Sequence, residues 1–523
     1  MTHGIAITGV ALATGFGLSA EDTWHRVARG ETAVHAAGRF GGAYVAELTE
    51  QDTLWALAQR LPVDDLPKGT GITLGTNGAP EAAWHTGFPY TALDPIVAKL
   101  GLDGPQAIFG TGCVASANAL CHAVDLLRAG RAPAMLVGGI DLLNVTTMAT
   151  FSSWKALDTE PSGPYSRSSG VNLGEGAAFL LLEADPGDKE VIAYVNGYGM
   201  TADAFHITAP PPSGEGLFRA MRQALRDAGV SPAQVDYVNG HGTGTPANDR
   251  AELTALRSLF GQDGPPLSSS KPQLGHTLGA AGVVEAAITA FAIRDSKLPP
   301  TINLDPERMP GWDVVPGTAR PAKIDVAVTN SIAFGGANCV LVLGREPAAH
   351  DPGFGVREVS TVGSSSVPDA EAARGNFPRA YASRVDELGA LSLAAAHLAW
   401  SDAGYTAENR PDPDRVGLVL ATAGGPLATI EELHAAQERD ELHLISPVTA
   451  PNIVASVTAG YVSLTLGLKG PLSAVTSGPA SEEVALDHAT NLLTTGRADV
   501  MLVVTADERG PGAGARVLRG EPL

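Results

Sequence analysis

Short apolar runs bounded by Gly and Pro alternate with helical stretches through most of the chain. Ile72–Gly75, Met135–Gly138, Tyr237–Asn239 and Val326–Thr329 read as strands, and 114–129, 215–228 and 280–294 as helices. That alternation predicts a layered α/β fold with buried, mostly parallel strands. Chemistry in such a fold is expected where strands end and loops begin. The segment Gly4-Ile-Ala-Ile-Thr-Gly9-Val is apolar but lacks the basic flank, long apolar centre and cleavage site of a signal peptide, so it reads as a first strand. No uninterrupted apolar run reaches the roughly 20 residues that span a bilayer. A cytoplasmic protein with no membrane partner is expected.

Charge and cysteine content narrow the partners. The 523 residues carry 35 Lys and Arg against 56 Asp and Glu, a net charge of -21, which argues against nucleic acid or an anionic membrane. Three cysteines exclude a disulfide framework and fit a reducing interior. The length allows two or three domains' worth of core.

One cysteine stands where chemistry is expected. Gly110-Thr-Gly112-Cys113-Val-Ala-Ser116 reads as a tight turn running into a helix. A thiol there meets the unsatisfied N–H groups and positive end of the helix, which favour a thiolate. An isolated Cys is nevertheless more often a buried packing residue. Five later stretches bear on the choice. Gly163 to Gly176 is a turn-rich loop feeding the strand Ala177–Leu182, and His206 lies in a second loop. His241-Gly-Thr243-Gly-Thr245 leads to Asp249 and Glu252 and follows a strand. Lys271-Pro-Gln-Leu-Gly275-His276 precedes a helix that carries Glu285, and Phe334-Gly335-Gly336 is a Gly-rich bend between two apolar strands. Each alone fits an ordinary loop. Together they supply one Cys, two His and one Lys beside glycines at element ends, as a thiolate-centred acyl-transfer site requires.

In this order the blocks resemble the β-ketoacyl synthase (condensing enzyme) family over residues 1 to about 345. The resemblance implies a thiolase-like fold, layered αβαβα. It also implies that Cys113 takes an acyl group from a thioester on an acyl carrier protein or coenzyme A. The backbone N–H groups of Cys113 and Phe334 are then the oxyanion hole, and Phe334 the gating aromatic. His241 and His276 stabilise the enolate formed as a malonyl thioester loses carbon dioxide. Lys271 organises the histidines with Glu285 as its partner, and Thr243, Thr245, Asp249 and Glu252 hold the His241 loop. No metal or organic cofactor is implied, and His206 has no essential step.

Departures from the family pattern are expected to matter for the pocket. The spacing from Gly75-Thr76 to Cys113 is short by some twenty residues, and an Asn-Met-Ala-type helix before the cysteine is missing. Ser166 stands where the family often has Asp, Ile332-Ala333 replaces Phe-Gly, and Ala337 and Cys339 replace Thr and His.

After a Pro- and Ala-rich bridge near 345 to 355 the chain starts again. Val359–Gly363 resembles Ile5–Gly9, and Val416–Thr422 resembles Gly71–Thr76. The spacing from Cys113 to Gly130-Arg131 and Asp141 repeats without a gap from Pro479 to Gly496-Arg497 and Asp507, so Pro479 holds the nucleophile position. Pro451-Asn452-Ile-Val-Ala-Ser supplies the segment missing from the first copy. The expected domains are therefore a ketosynthase domain over 1–345 and a Cys-less, thiolase-like half domain over 355–523. The second either docks within the chain as a pseudo-dimer, in place of a homodimer partner, or is a remnant or separate docking module. The expected function is decarboxylative Claisen condensation with malonyl-carrier protein. Acyl transfer to an alcohol or amine without decarboxylation is the alternative, and a non-catalytic assembly subunit is the third reading.

Overall fold

Three buried strands frame the first part of the fold in the computed structural model, which describes residues 4–48, 66–78, 93–309, 311–348, 357–406 and 408–522. Gly71–Gly75 lies between Gln106–Phe109 and Ala134–Asp141, parallel to both. Parallel neighbours need a crossover, and the helix Ala115–Arg128 supplies the one from Gln106–Phe109 to Ala134–Asp141. Every residue from Ala115 to Leu127 is buried, as is every residue from Ala281 to Ile293 in the helix Ala281–Asp295. A helix apolar on all sides must be enclosed. These two pack on each other and touch strands of the main sheet from Val326–Ile332 across to Leu472–Val475, forming a central layer.

The sheet is mixed, which corrects the expectation of mostly parallel strands. Its fourteen strand pairings divide into six parallel and eight antiparallel. The Gly-rich bend shows one reason. Val326–Ile332 and Ala337–Gly344 are joined by four residues, too few for a parallel return, and so form an antiparallel hairpin. Where strands were expected the positions hold: Tyr237–Asn239 and the helix Glu215–Ala228 match their predicted bounds.

One fifteen-stranded sheet runs through both parts of the chain. Outward from its middle on one side lie Gln106–Phe109, Gly71–Gly75, Ala134–Asp141, Gly176–Glu183 and Ile5–Thr14. On the other lie Leu472–Val475, Val416–Ala421, Val500–Asp507, Gly512–Pro522 and Arg357–Val367. The two series have the same pairing senses. A shift of 366 positions relates several elements without a gap: strand 106 to 472, helix 115 to 481, strand 134 to 500. Across the junction Phe109 pairs antiparallel with Val475, its own counterpart under that shift. A pseudo-two-fold axis therefore passes between them. The equivalent His122 and His488 meet at the same place, ring centroids 5.1 Å apart.

Hydrogen bonds and one buried ion pair close the junction. Gly110 N–H donates to Ala474 O at 2.9 Å, and Thr476 N–H to Ile108 O at 2.8 Å. The Arg497 guanidinium donates to Asp227 at 2.9 Å and to Tyr198 O at 3.0 Å, and lies 3.4 Å from the centre of the Tyr198 ring. Between Gly75 and Cys113, where the family's pocket helix was expected to be missing, residues 79–92 fall outside the described residues; Asp94–Leu100 is a short helix.

Candidate active site

Cys113 sits in a single 3₁₀ turn, Gly112–Val114, that leads straight into the helix Ala115–Arg128. Gly112 has φ +58. A Cβ there would lie 2.8 Å from Ser456 Oγ and 3.2 Å from Ala333 Cβ, so a glycine lets the turn sit against both. Burial pushes the Cys113 thiol up to about 12, with Lys271 pulling it back toward ionisation. The expectation that the helix start favours a thiolate is thus outweighed at this buried position by the loss of water.

His241 and His276 follow different elements, a strand and a one-turn helix, and meet in one chamber. His241 follows Tyr237–Asn239, and His276 follows the one-turn helix Lys271–Leu274. Their ring centroids are 5.3 Å apart, edge to face. Cys113, His241, His276, Thr243, Thr245 and Phe334 line the same cavity. Lys271 Nζ lies 3.3 Å from His241 Nδ1 and pairs with Glu285. An ammonium can only donate, so it fixes Nδ1 of His241 as the acceptor and leaves the proton on Nε2. Burial and the neighbouring Lys271 hold both imidazoles well below their ordinary range, so both are neutral donors at pH 7. Burial raises Glu285 to about 7 even beside Lys271.

Two carboxylates bond the backbone of the His241 loop. Glu252 is fully buried and accepts from four donors: His241 N–H at 2.8 Å, Gly242 N–H at 2.9 Å, Asn330 Nδ2 at 3.0 Å and Tyr165 OH at 2.9 Å. Asp249 accepts from Gly244 N–H at 3.1 Å, Tyr165 N–H at 2.8 Å and Ser168 Oγ at 2.5 Å, and burial raises it to about 6. Thr243 and Thr245 bond each other through their hydroxyls at 2.9 Å. His206 is exposed at the outer end of the same cavity.

Phe334 stands at a partition. It and Cys113 line both the histidine chamber and a second, mostly apolar cavity containing Phe151, Trp154, Leu278, Ile430, Ile453 and Val454. The Phe334 ring packs edge to face on Trp154 at 5.0 Å and beside Phe151 at 5.8 Å. Ile430, Ile453 and Val454 come from the second series of elements, so that series contributes wall to this cavity. By contrast Pro479, the counterpart of Cys113, is exposed.

Sequence reasoning missed three contributors. Tyr165 ties the 163–176 loop to both Glu252 and Asp249; its place in a Gly-Pro-Tyr turn gave no sign of burial. Asp141 accepts from Thr76 Oγ1 and Asn77 N–H, each at 3.0 Å, and from Gly279 N–H at 2.5 Å, tying the His276 segment to the strand beside Cys113. A lone Asp at a strand end was the available signal. The residues from beyond 430 could not have been placed without the sheet.

Among the described residues no cluster of three or more His, Cys, Asp or Glu is placed to hold a metal ion. No described helix is long and apolar enough to cross a membrane.

Comparison with known proteins agrees with this geometry. The profile of the Beta-ketoacyl synthase N-terminal domain matches residues 94–186 and again 349–518, and that of the C-terminal domain matches 192–305. The 3-oxoacyl-(acyl-carrier-protein) synthase 2 of Coxiella burnetii is 40% identical over 262 residues, which is 47% of this chain and 63% of the relative. The Staphylococcus aureus synthase of the same name is 39% identical over 269 residues, 49% of this chain and 67% of the relative. The chain thus spans about two thirds of the length of these curated relatives. Among solved structures, a β-ketoacyl synthase from Burkholderia phymatum superposes with TM-score 0.60 at 26% identity, covering 66% of this chain and all of that one. The PfaC keto synthase-chain length factor superposes with TM-score 0.82 over 99% of this chain and 78% of that one; at 17% identity this likeness speaks to fold alone. With matched domains over more than half of its length and a thiolase-like arrangement of its strands, the chain belongs to the β-ketoacyl synthase family.

Proposed function

We propose that this protein is a condensing enzyme that joins a Cys113-bound acyl group to a malonyl thioester with loss of carbon dioxide. One observation carries the reading. Cys113, His241, His276 and Phe334 line a single buried chamber, with Lys271 bonded to His241. The Cys113 sulfur attacks an acyl thioester, and its proton leaves with the departing thiol, giving an acyl-enzyme. The backbone N–H groups of Cys113 and Phe334 receive the carbonyl oxygen as it gains charge. A malonyl thioester then loses carbon dioxide. The resulting enolate is met by the Nε2–H of His241, whose tautomer Lys271 sets, and by the neutral His276. The enolate carbon attacks the acyl group, releasing a 3-oxoacyl thioester and a Cys113 thiolate that takes up a proton. The polarity suits the two steps. Neutral imidazoles can donate to an enolate, and the apolar cavity behind Phe334 can receive an acyl chain.

In this reading residues 1–345 carry the chemistry and 355–523 take the place of a partner subunit. The continuous sheet at Phe109 and Val475 and the wall formed by Ile430, Ile453 and Val454 support that role. Acyl carrier protein is the proposed donor and acceptor, as the names of the relatives suggest. A cytoplasmic location fits the reading.

The test is incubation of the purified chain with acyl- and malonyl-carrier protein. Carbon dioxide release with a new 3-oxoacyl product, and an acyl adduct on Cys113 by intact mass, support condensation. An acyl adduct passed to an alcohol or amine without carbon dioxide would favour the alternative acyltransferase. Activity surviving Cys113→Ala would dismiss both.

A further inference from the structure

The bend that carries Phe334 is fixed from two sides by groups far from it in sequence. Gly335 N–H donates to Ile207 O at 2.7 Å, while Ser456 Oγ donates to Phe334 O at 3.0 Å. The single peptide plane joining Phe334 to Gly335 is therefore gripped at both its N–H and its C=O. Ser456 belongs to the helix Ala455–Leu466 of the second series and is fully buried. Its neighbours leave no slack. A Cβ on Gly335, whose φ is +86, would lie 2.1 Å from Ser456 O, and one on Gly460 would lie 2.5 Å from Gly335 Cα. A Cβ on Gly112, the residue before the nucleophile, would lie 2.8 Å from Ser456 Oγ itself. Ser456 is thus wedged between the Cys113 turn and the Phe334 bend, the two segments that converge on the sulfur.

We propose that Ser456 is a positioning residue: its hydroxyl sets the orientation of the Phe334 peptide, and with it the distance between the two N–H groups that receive the substrate oxygen. The inference rests on the condensing-enzyme reading given above. The Phe334 N–H lies in the next plane, Ala333–Phe334, which meets the gripped plane at the Phe334 Cα; fixing one plane limits how far the other can tilt, and the bond to a developing oxyanion depends on that tilt. A small polar side chain suits the place, because it satisfies the Phe334 carbonyl without filling the space that the glycines leave open. The residue would then make the second series a participant in catalysis, beyond its place in the sheet.

Ser456→Ala removes the hydroxyl and keeps the Cβ. The experiment compares it with the unaltered chain and with Thr465→Ala, which alters the same helix at a partly buried hydroxyl facing His397. Three readings are taken: the rate at which acyl-N-acetylcysteamine thioesters acylate Cys113, by intact mass; the rate at which iodoacetamide alkylates Cys113; and the unfolding midpoint. Alkylation needs the sulfur but no oxyanion hole. The expected result is acylation slowed by about tenfold or more in Ser456→Ala, with alkylation and midpoint little changed and Thr465→Ala normal. Ser456→Cys, a weak donor of similar size, should fall between, and it stands in should the alanine variant fold poorly. Unchanged acylation in the Ser456 variants would overturn the proposal, as would equal slowing in Thr465→Ala. An unaltered chain that is alkylated but never acylated would remove the condensing-enzyme reading and this inference with it. A chain acylated equally with and without the Ser456 hydroxyl would remove only this inference.

Discussion

Replacing Glu252 by Gln should loosen the His241 loop while leaving the shape of the site almost unchanged. The carboxylate accepts from four donors, two on each oxygen: His241 N–H and Asn330 Nδ2 on Oε1, Gly242 N–H and Tyr165 OH on Oε2. A glutamine offers one oxygen and one NH₂. Whichever way the amide turns, two donors face its NH₂. The least costly orientation puts the NH₂ toward Tyr165, whose hydroxyl can rotate to accept, and leaves the Gly242 N–H without a partner. An unsatisfied buried donor costs about 1–3 kcal/mol, and the remaining bonds lose their charge assistance. Relief from burying a charge offsets part of this. The net is on the order of 3 kcal/mol, about a hundredfold in the equilibrium for opening the loop. Hydrogen exchange followed by mass spectrometry or NMR reads it directly. The amides of His241 and Gly242 should exchange about a hundredfold faster, with the helix Ala281–Asp295 unaffected. Condensation should fall in step, since Lys271 can set the His241 tautomer only while the loop is in place. Protection at 241 and 242 unchanged within about threefold would show that the four bonds do not hold this loop.

Two further outcomes follow from the geometry. With the Cys113 thiol raised to about 12 by burial, its alkylation by iodoacetamide in the substrate-free protein should keep rising through pH 10 without levelling. The sign extends to stability: a raised folded value means that the contribution is fully present below the ordinary thiol value near 9 and is lost as pH climbs toward 12. A rate plateau at or below pH 8 would contradict this environment. Arg497→Ala should take one of two arginines from the buried Asp227, which keeps Arg128 and the Tyr198 N–H, and cost about 3 kcal/mol, seen as a lower urea midpoint and earlier proteolysis beyond residue 348. A midpoint shift equivalent to less than about 0.5 kcal/mol would place the junction's strength elsewhere.

Much of the site was legible because its signals are local. Cys113 at a turn entering a helix, His241 after a strand, Lys271 four residues before Gly275 and Phe334 in a glycine bend each follow from backbone needs of a few neighbouring residues, and their order carried the family. Asp249, Glu252 and Glu285 bond the His241 loop and Lys271 for a similarly local reason: helix spacing returns them to the loop they follow. The repeated spacing behind Pro479 was also countable, and its elements recur in the structure at the same shift. Strand direction was not, because whether a buried strand runs parallel or antiparallel depends on a neighbour chosen far away in the chain.

By itself, then, the sequence determined which elements form, where the reactive side chains sit on them, and that part of the pattern occurs twice. The tertiary structure decided that the two occurrences share one sheet through Phe109 and Val475, that Ile430, Ile453 and Val454 wall the apolar cavity beside Phe334 while Ser456 bonds the Phe334 carbonyl, and that the thiol rests protonated. The physical reason is range. Periodicity and turn preferences are set by residues within a few positions, whereas desolvation and a hydrogen bond such as that from Ser456 to Phe334 are set by whatever packing brings near, here from 122 positions away.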